Sequence, residues 1–211
     1  GHERWHPNPD FYYQPGGGPL WDMGPYYLTA LLSLLGPAER VAATAGASFE
    51  TRTIQSGPRA GETVPVETPT HILTLLDFAS GPRGTLTTSF DVHDTNGSTL
   101  VLYGSEGTLR LPDPNTFGGP IELLPAGGDT WKPIEPRFPF TDNSRGLGVS
   151  DMARAIREGG QHRASGEMAA HVVDIMDAAL RSSAEGRHIA VTSTFARPEP
   201  LRDGDVPAAT G

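Results

Sequence analysis

The sequence predicts an α+β fold: an open, mainly antiparallel sheet with helices packed on one face. Two observations lead there. Between residues 41 and 124, strand patterns follow one another at short intervals, separated by Gly- and Pro-containing turns too short for crossover helices. The helical patterns lie outside this run, one before it and two after it, which is segregation rather than αβ alternation. Side-chain alternation adds a third observation. In residues 85–92, Leu86, Thr88, Phe90 and Val92 oppose Thr85, Thr87, Ser89 and Asp91, whereas both faces of His71–Phe78 carry leucine or isoleucine. One sheet face should meet helices, and the other is suited to a second subunit.

In chain order, residues 1–19 form an aromatic, Pro-rich lead-in read as irregular chain: Trp5, His6, Pro7, Asn8, Pro9, Phe11, Tyr12, Tyr13. Pro19 suits the first position of a helix. Pro25 deletes a bond to Trp21, so a short first turn and a kink are expected before a regular helix to Leu35, stopped by Gly36-Pro37. Leu28, Leu31, Leu32 and Leu35 make its core face, and Asp22, Tyr26, Thr29 and Ser33 a separate polar stripe. Strands are expected at 41–49, 52–55, 64–67, 71–78, 85–92, 99–103, 108–111 and 121–124. Helices follow at 149–158, ended by Gly159-Gly160, and at 166–184, with Ser165 as N-cap and Gly186 beyond the end. A short strand at 188–192 closes the fold. Residues 1–197 are read as one substrate-binding and oligomerisation domain, and 198–211, without apolar periodicity, as a tail lacking structure.

A formal charge of −9 over 211 residues argues against a nucleic-acid or anionic-membrane surface and favours a small-molecule partner. No apolar run approaches the ~20 residues of a membrane span. There is no secretory pattern at the N-terminus, and the absence of cysteine excludes disulfides and thiolate metal sites. A cytoplasmic setting is the expectation. Lys132 is the only lysine, in a Pro-rich segment read as loop. The chain opens without Met, like a piece of something longer.

The chemistry concentrates near the start. Gly16-Gly17-Gly18-Pro19 runs into the helix, which carries Asp22 and, four residues on, Tyr26. Residues four apart share a helix face, so a carboxylate and a phenol stand side by side as a plausible acid/base pair. Taken alone, Asp22 also suits a helix N-terminal acid, stabilised by the dipole by ~0.3–1 kcal/mol, and Tyr26 a core residue. The glycines let the backbone pass close to something flat, either a ligand ring or the aromatic lead-in. Trp5, His6, Asn8 and Tyr12 are candidates for a pocket wall. His71, Asp91, His93 and Asp94, with His2 and His6, show no metal-ligand spacing, and no metal is expected. His171, between apolar positions of the last helix, reads as a packing residue.

Gly16-Gly17-Gly18-Pro19-Leu20-Trp21-Asp22-Met23-Gly24-Pro25-Tyr26 resembles the GGG-x-x-x-D-x-G-x-H/Y element of the glucose–fructose oxidoreductase/inositol dehydrogenase/MocA (Gfo/Idh/MocA) family. Residues 6–13, 104–109, 145–152 and the closing pattern from His162 through His171 and Ser183 to Gly186 are similar to that family's C-terminal domain, in the same order. The resemblance implies an NAD(P)-dependent oxidoreductase of sugars, polyols or related cyclic alcohols, of which this chain is the substrate and oligomerisation domain. It implies that a Rossmann domain, missing here, holds NAD or NADP and supplies a catalytic lysine, and that no cofactor binds this piece alone. Asp22 and Tyr26 then take the family's catalytic positions, with Tyr26 in the proton-transfer role. A free tyrosine titrates near pH ~10 and needs a cationic neighbour to act as base. Gly17 and Gly18 fall next to the cofactor. Thr29 stands where the family has a later aspartate, which weighs against inositol-type recognition. The alternative reading is a catalytically inert self-association or ligand-binding module.

Overall fold

The computed structural model describes residues 1–93 and 99–205. Every paired strand in it runs antiparallel, and the helices are few, so the fold is α+β as expected. Residues expected to form one domain are shared between two compact units. One comprises Gly1–His93 and Ser165–Pro198, the other Asp94–Ala164 and Glu199–Gly211.

The first unit opens with a 3-10 turn, His2–Arg4, and a one-turn helix α1 (Asp10–Tyr13), inside the lead-in that the sequence reads as irregular. Helix α2 (Pro19–Leu35) follows as one helix with Pro25 inside it, where a short first turn and a kink were expected. Packing on both sides of the proline accounts for the difference. Gly24 lies so close to α4 (Gly166–Glu185) that an added Cβ would sit 3.0 Å from Met176 Sδ, and Leu28 is fully buried. Strands β1 (Ala38–Gly46), β4 (His71–Phe78), β5 (Arg83–Ser89) and β10 (Ile189–Ala190) form one sheet in the order β10-β1-β4-β5, while β2 (Thr51–Thr53) and β3 (Thr63–Pro65) make a separate hairpin.

The register places Ile72, Thr74, Leu76 and Phe78 of β4 on the same face as Leu86 and Thr88 of β5, and α2 and α4 cover it. The core is therefore Leu20, Leu28, Leu31 and Leu32 against Val172, Ile175, Met176 and Ala179, on a floor of Val41, Ile72 and Leu76. The opposite face leaves Leu73 and Leu75 about half exposed. Sheet alternation thus reads through as helices on one side only.

Strand β10 pairs with β1 only at Arg40 and Val41. Helix α4 supplies the rest: the amides of Ala43 and Ala45 donate to Ser182 Oγ (3.0 Å) and Ser183 Oγ (2.9 Å). At the start of β1 the Ala38 amide donates to His171 Nε2 at 3.0 Å. That bond puts the imidazole proton on Nδ1, which donates to Ser193 Oγ (2.8 Å), and Ser193 Oγ donates to Asp174 Oδ2 (2.6 Å). Burial pushes the His171 pKa down, against the opposing pull of Asp174. The native ring therefore declines a proton that the unfolded chain accepts near pH ~6.5, and this contribution to stability is full above that pH and lost below it. Thermal melts should show Tm falling between pH 7.5 and 5.5. His171→Gln, whose amide can still accept from Ala38, should flatten that fall.

In the second unit β6 (Leu100–Gly104), β7 (Gly107–Leu111), β8 (Ile121–Pro125) and β9 (Lys132–Ile134) form a meander. Strand β9, which the sequence reading places in a loop, carries Pro133 at the sheet edge, where a missing donor is tolerated. Helix α3 (Gly146–Glu158) ends on Gly159 in the left-handed conformation (φ 69°), as the Gly-Gly pair predicts. Residues 199–205, expected to lack structure, are tied to this unit: Asp205 pairs with Arg154 and Arg163, both of which hold buried Asp151. The rest of the expected tail, 206–211, and Asp94 lie outside the described residues.

Candidate active site

The candidate residues all belong to the first unit, and the lead-in is what assembles them. Its anchor is a buried charge cluster. Tyr13 Oη donates to a Glu3 carboxylate oxygen, Arg52 pairs with Glu3 (3.5 Å) and with Asp91, and Thr70 and Ser48 hydroxyls donate to Asp91 Oδ2 at 2.7 and 2.6 Å. Tyr13 is fully buried, packing with Ile54, Val64 and Phe90. Burial opposes the charge on Glu3, yet the Tyr13 and Arg52 contacts outweigh it and hold that carboxyl below the ordinary range. Asp91 follows the same pattern through Ser48, Thr70 and Arg52. Burial, helped by the Glu3 bond, raises the Tyr13 phenol.

One residue along from this anchor the side chains turn toward the site. Tyr12 stacks on His2 (centroids 3.9 Å), lies tilted against Phe11 (4.0 Å), and meets His6 edge-on at 5.6 Å. Trp5, 61% exposed, lies 5.3 Å from both His2 and His6. His6 Nδ1 accepts the Asn8 amide (3.1 Å), and Asn8 Oδ1 accepts from Arg59 (3.4 Å), which also grips Asp10 at 2.6 and 3.2 Å. Trp5, His6, Asn8 and Tyr12 thus form one continuous aromatic and polar surface.

Asp22 stands in the first turn of α2, its amide bonded to the Gly18 carbonyl (3.1 Å). Its carboxylate meets His2, with Oδ2 3.2 Å from Nε2. Burial first, and then the Asp22 charge, raise the Tyr12 phenol, which places Tyr12 and Asp22 in one electrostatic environment. Tyr26, a turn further on, is 44% exposed, and Thr29 is half-buried with its carbonyl taken by Ser33 Oγ (2.7 Å). His2, absent from the site residues that the sequence singles out, is Asp22's immediate neighbour. No spacing rule could have found it, since the two are joined only by the folded lead-in.

The glycine loop serves the lead-in. The Gly17 and Gly18 amides donate to the Gln14 and Tyr12 carbonyls (2.9 and 2.8 Å). A Cβ on Gly17 would fall 2.5 Å from the Phe11 carbonyl oxygen, and one on Gly18 (φ 93°) 2.9 Å from that of Pro69. Close backbone passage is therefore what the glycines permit here. As for the histidines, His71 pairs with Ser89 Oγ (2.8 Å) and His93 with Arg4 (3.2 Å). Among the described residues no group of three or more His, Asp or Glu is placed to hold a metal, and no helix is long and apolar enough to cross a membrane.

Residues 1–110, which contain the lead-in, the glycine loop and α2, match the GFO/IDH/MocA C-terminal domain. The chain belongs to the Gfo/Idh/MocA family. No curated protein matches it in sequence. Among solved structures it is similar to levoglucosan dehydrogenase in its apo form (TM-score 0.71, 21% identity, covering 90% of this chain and 57% of that one). It is also similar to an NAD-binding oxidoreductase from Klebsiella pneumoniae (TM-score 0.65, 21% identity, 84% and 52%). A third is an aldose-aldose oxidoreductase from Caulobacter crescentus complexed with glycerol (TM-score 0.63, 25% identity, 83% and 48%). The chain thus spans about half the length of these solved structures.

Proposed function

We propose that this chain is the substrate-binding domain of an NAD(P)-dependent oxidoreductase acting on a CH–OH group of a sugar, polyol or related cyclic alcohol. The observation that carries the reading is the placement of Asp22 in the first turn of α2, beside the wall of Trp5, His6 and Tyr12, in a chain of this family. A carboxylate accepts hydroxyl donors, and aromatic faces cover the apolar C–H faces of a sugar ring. Similar structures point the same way: levoglucosan dehydrogenase has been solved with NADH and levoglucosan, and with NADH and L-sorbose.

In this reading Asp22 accepts and orients the substrate hydroxyl. The proton that leaves it goes to Tyr26, one turn along the same helix, which would act as base only as a phenolate beside the cation of the family's lysine, or to that lysine itself. Asn8 and Thr29 contribute polar edges. The cofactor is a different matter. Gly17 and Gly18 spend their amides on the Gln14 and Tyr12 carbonyls, so in this reading their part toward the cofactor is a close approach of bare backbone to a ring, without amide–phosphate bonds. NAD(P) and the family's lysine are assigned to the part of the full-length enzyme that corresponds to the rest of the relatives' length.

The test is a polyol and sugar panel with NAD and NADP on the full-length protein, beside a Tyr26→Phe variant. Expected is oxidation of at least one panel member, lowered ~10²-fold or more by Tyr26→Phe. Failure of the full-length protein to bind either nucleotide or to oxidise any member would end the oxidoreductase reading. Unchanged turnover by Tyr26→Phe would remove that residue alone from the chemistry.

A further inference from the structure

Asp22 does not face the site alone. The His2 ring that approaches it is held from three sides: stacked on Tyr12 with planes 29° apart, edge-on to Phe90 at 4.6 Å, and tilted against Trp5. The backbone beneath is held as well. Glu3 and Tyr13, each one residue beyond the stacked pair, are locked together in the core by the Tyr13–Glu3 hydrogen bond and by Arg52. A ring stacked on one aromatic neighbour and flanked by two more, on anchored chain, has little freedom to turn away from Asp22.

Its protonation follows from its surroundings. His2 Nδ1 is buried with no hydrogen-bond partner, and so is Asp22 Oδ2, which the 3.2 Å approach of Nε2 meets off the hydrogen-bond direction. A proton on Nδ1 would have no acceptor, so the single proton of the neutral ring belongs on Nε2, facing the carboxylate. Four titratable side chains face the imidazole: Asp22 from α2, Tyr12 from α1, and Glu3 and His6 from the lead-in. Burial, helped by the Gly1 amino group and His6, lowers the His2 pKa more than Asp22 and Glu3 raise it.

We propose that His2 is a positioning residue for Asp22: its Nε2–H, met off-axis at 3.2 Å in the free chain, draws the carboxylate into line when substrate binds, so that the remaining lone pairs are aimed at a substrate hydroxyl. The idea rests on the oxidoreductase reading above. It gives His2 a role that falls away in acid, where a protonated ring draws the Asp22 carboxylate into a full ion pair and away from substrate.

Two substitutions separate donor from ring in the full-length enzyme. His2→Phe keeps the stack and removes the donor; His2→Gln restores an N–H donor without the ring. His2→Phe should lower kcat/KM for the alcohol by ~10–100-fold, leave the KM for nucleotide unchanged and move the acidic limb of the pH profile, while His2→Gln should come within about 5-fold of wild type. Wild-type activity in His2→Phe, or a glutamine variant as poor as the phenylalanine one, overturns the proposal. Asp22→Asn in the same assay separates the two ideas. If it too turns over normally, the site reading fails; if it is inactive while His2→Phe is not, only the role of His2 falls. A measurement independent of turnover is 15N NMR of His2 in this 211-residue chain. An Nε2–H tautomer whose titration moves to lower pH in Asp22→Asn is expected. An Nδ1–H tautomer, or a titration indifferent to Asp22→Asn, overturns the proposal.

Discussion

Arg52→Ala should cost the folded chain about 3–5 kcal/mol at neutral pH, the range for stranding buried charge by removing one partner of an ion pair. Arg52 lies between two carboxylates, and all three side chains are nine-tenths buried or close to it: 10% exposed for Arg52, 7% for Glu3 and 9% for Asp91. Its guanidinium also lies 4.6 Å from the Phe49 ring centroid and 5.6 Å from that of Tyr13, contacts that alanine abolishes. The loss should depend on pH in a definite direction. Glu3 and Asp91 have depressed native pKa values, so their contribution is present above the ordinary carboxylate range, near pH ~4, and is lost as pH falls through the native values. In the variant the Arg52 share of that support is gone already, while the Tyr13 bond to Glu3 and the Ser48 and Thr70 bonds to Asp91 remain. The gap between wild type and Arg52→Ala in urea melts should therefore be widest at pH 7 and close toward pH 3. A gap of equal size at both pH values would mean that lost packing, not charge, sets the cost. Because the cluster anchors the lead-in, the variant should also lose protection from hydrogen exchange first in residues 2–13.

Asp22→Asn carries the largest expected effect on activity. The amide is nearly isosteric and stays on the same helix turn, but it replaces an acceptor-only carboxylate with a group that must spend half its capacity as a donor. In the full-length enzyme, kcat/KM for the alcohol should fall by ~10²–10³, the scale of a lost proton-handling or orienting group. Stability should change little, by ~0.3–1 kcal/mol, because Asp22 lies in the favourable first turn of α2 and its side chain is only partly buried. A steady Tm with lost turnover identifies a site residue. Lost turnover together with a collapsed Tm would return Asp22 to the role of a simple helix N-terminal acid.

Most of the architecture was legible in the chain because it rests on local patterns. Alternation in residues 85–92 put Leu86, Thr88, Phe90 and Val92 on one face; the first three are buried, while Val92 is exposed because β5 ends at Ser89. Ser165 caps α4 by accepting the Met168 amide at 3.1 Å. Where the reading departed from the structure, tertiary packing had overridden local preference. Pro25 argued for a break in α2, but Gly24 against Met176 and Leu28 in the core hold both flanking turns in one helix. Pro133 argued against a strand, but an edge position removes the objection. Asp205 lies in a segment with no periodicity to betray it, yet its ion pairs to Arg154 and Arg163 tie that segment down. At the site, Asp22 and Tyr26 were visible because one helix presents both. His2 and the Glu3–Arg52–Asp91 anchor were not, since their partners come from distant points of the chain and charge pairing leaves no periodic trace.

The α4 side chains that cap β1, His171, Ser182 and Ser183, also bear on how the molecule is made. The Ala38, Ala43 and Ala45 amides find their partners 133, 139 and 138 residues downstream. Closing so wide a loop is slow, and a chain emerging from the ribosome cannot close it at all until α4 has been synthesised. Throughout that interval the edge of β1 and the apolar side of α2 stand uncovered beside a lead-in already rich in aromatic rings. The nascent chain is thus most exposed to aggregation after its future site has been translated and before the helix that shelters it arrives, which is the window in which a chaperone would be of use.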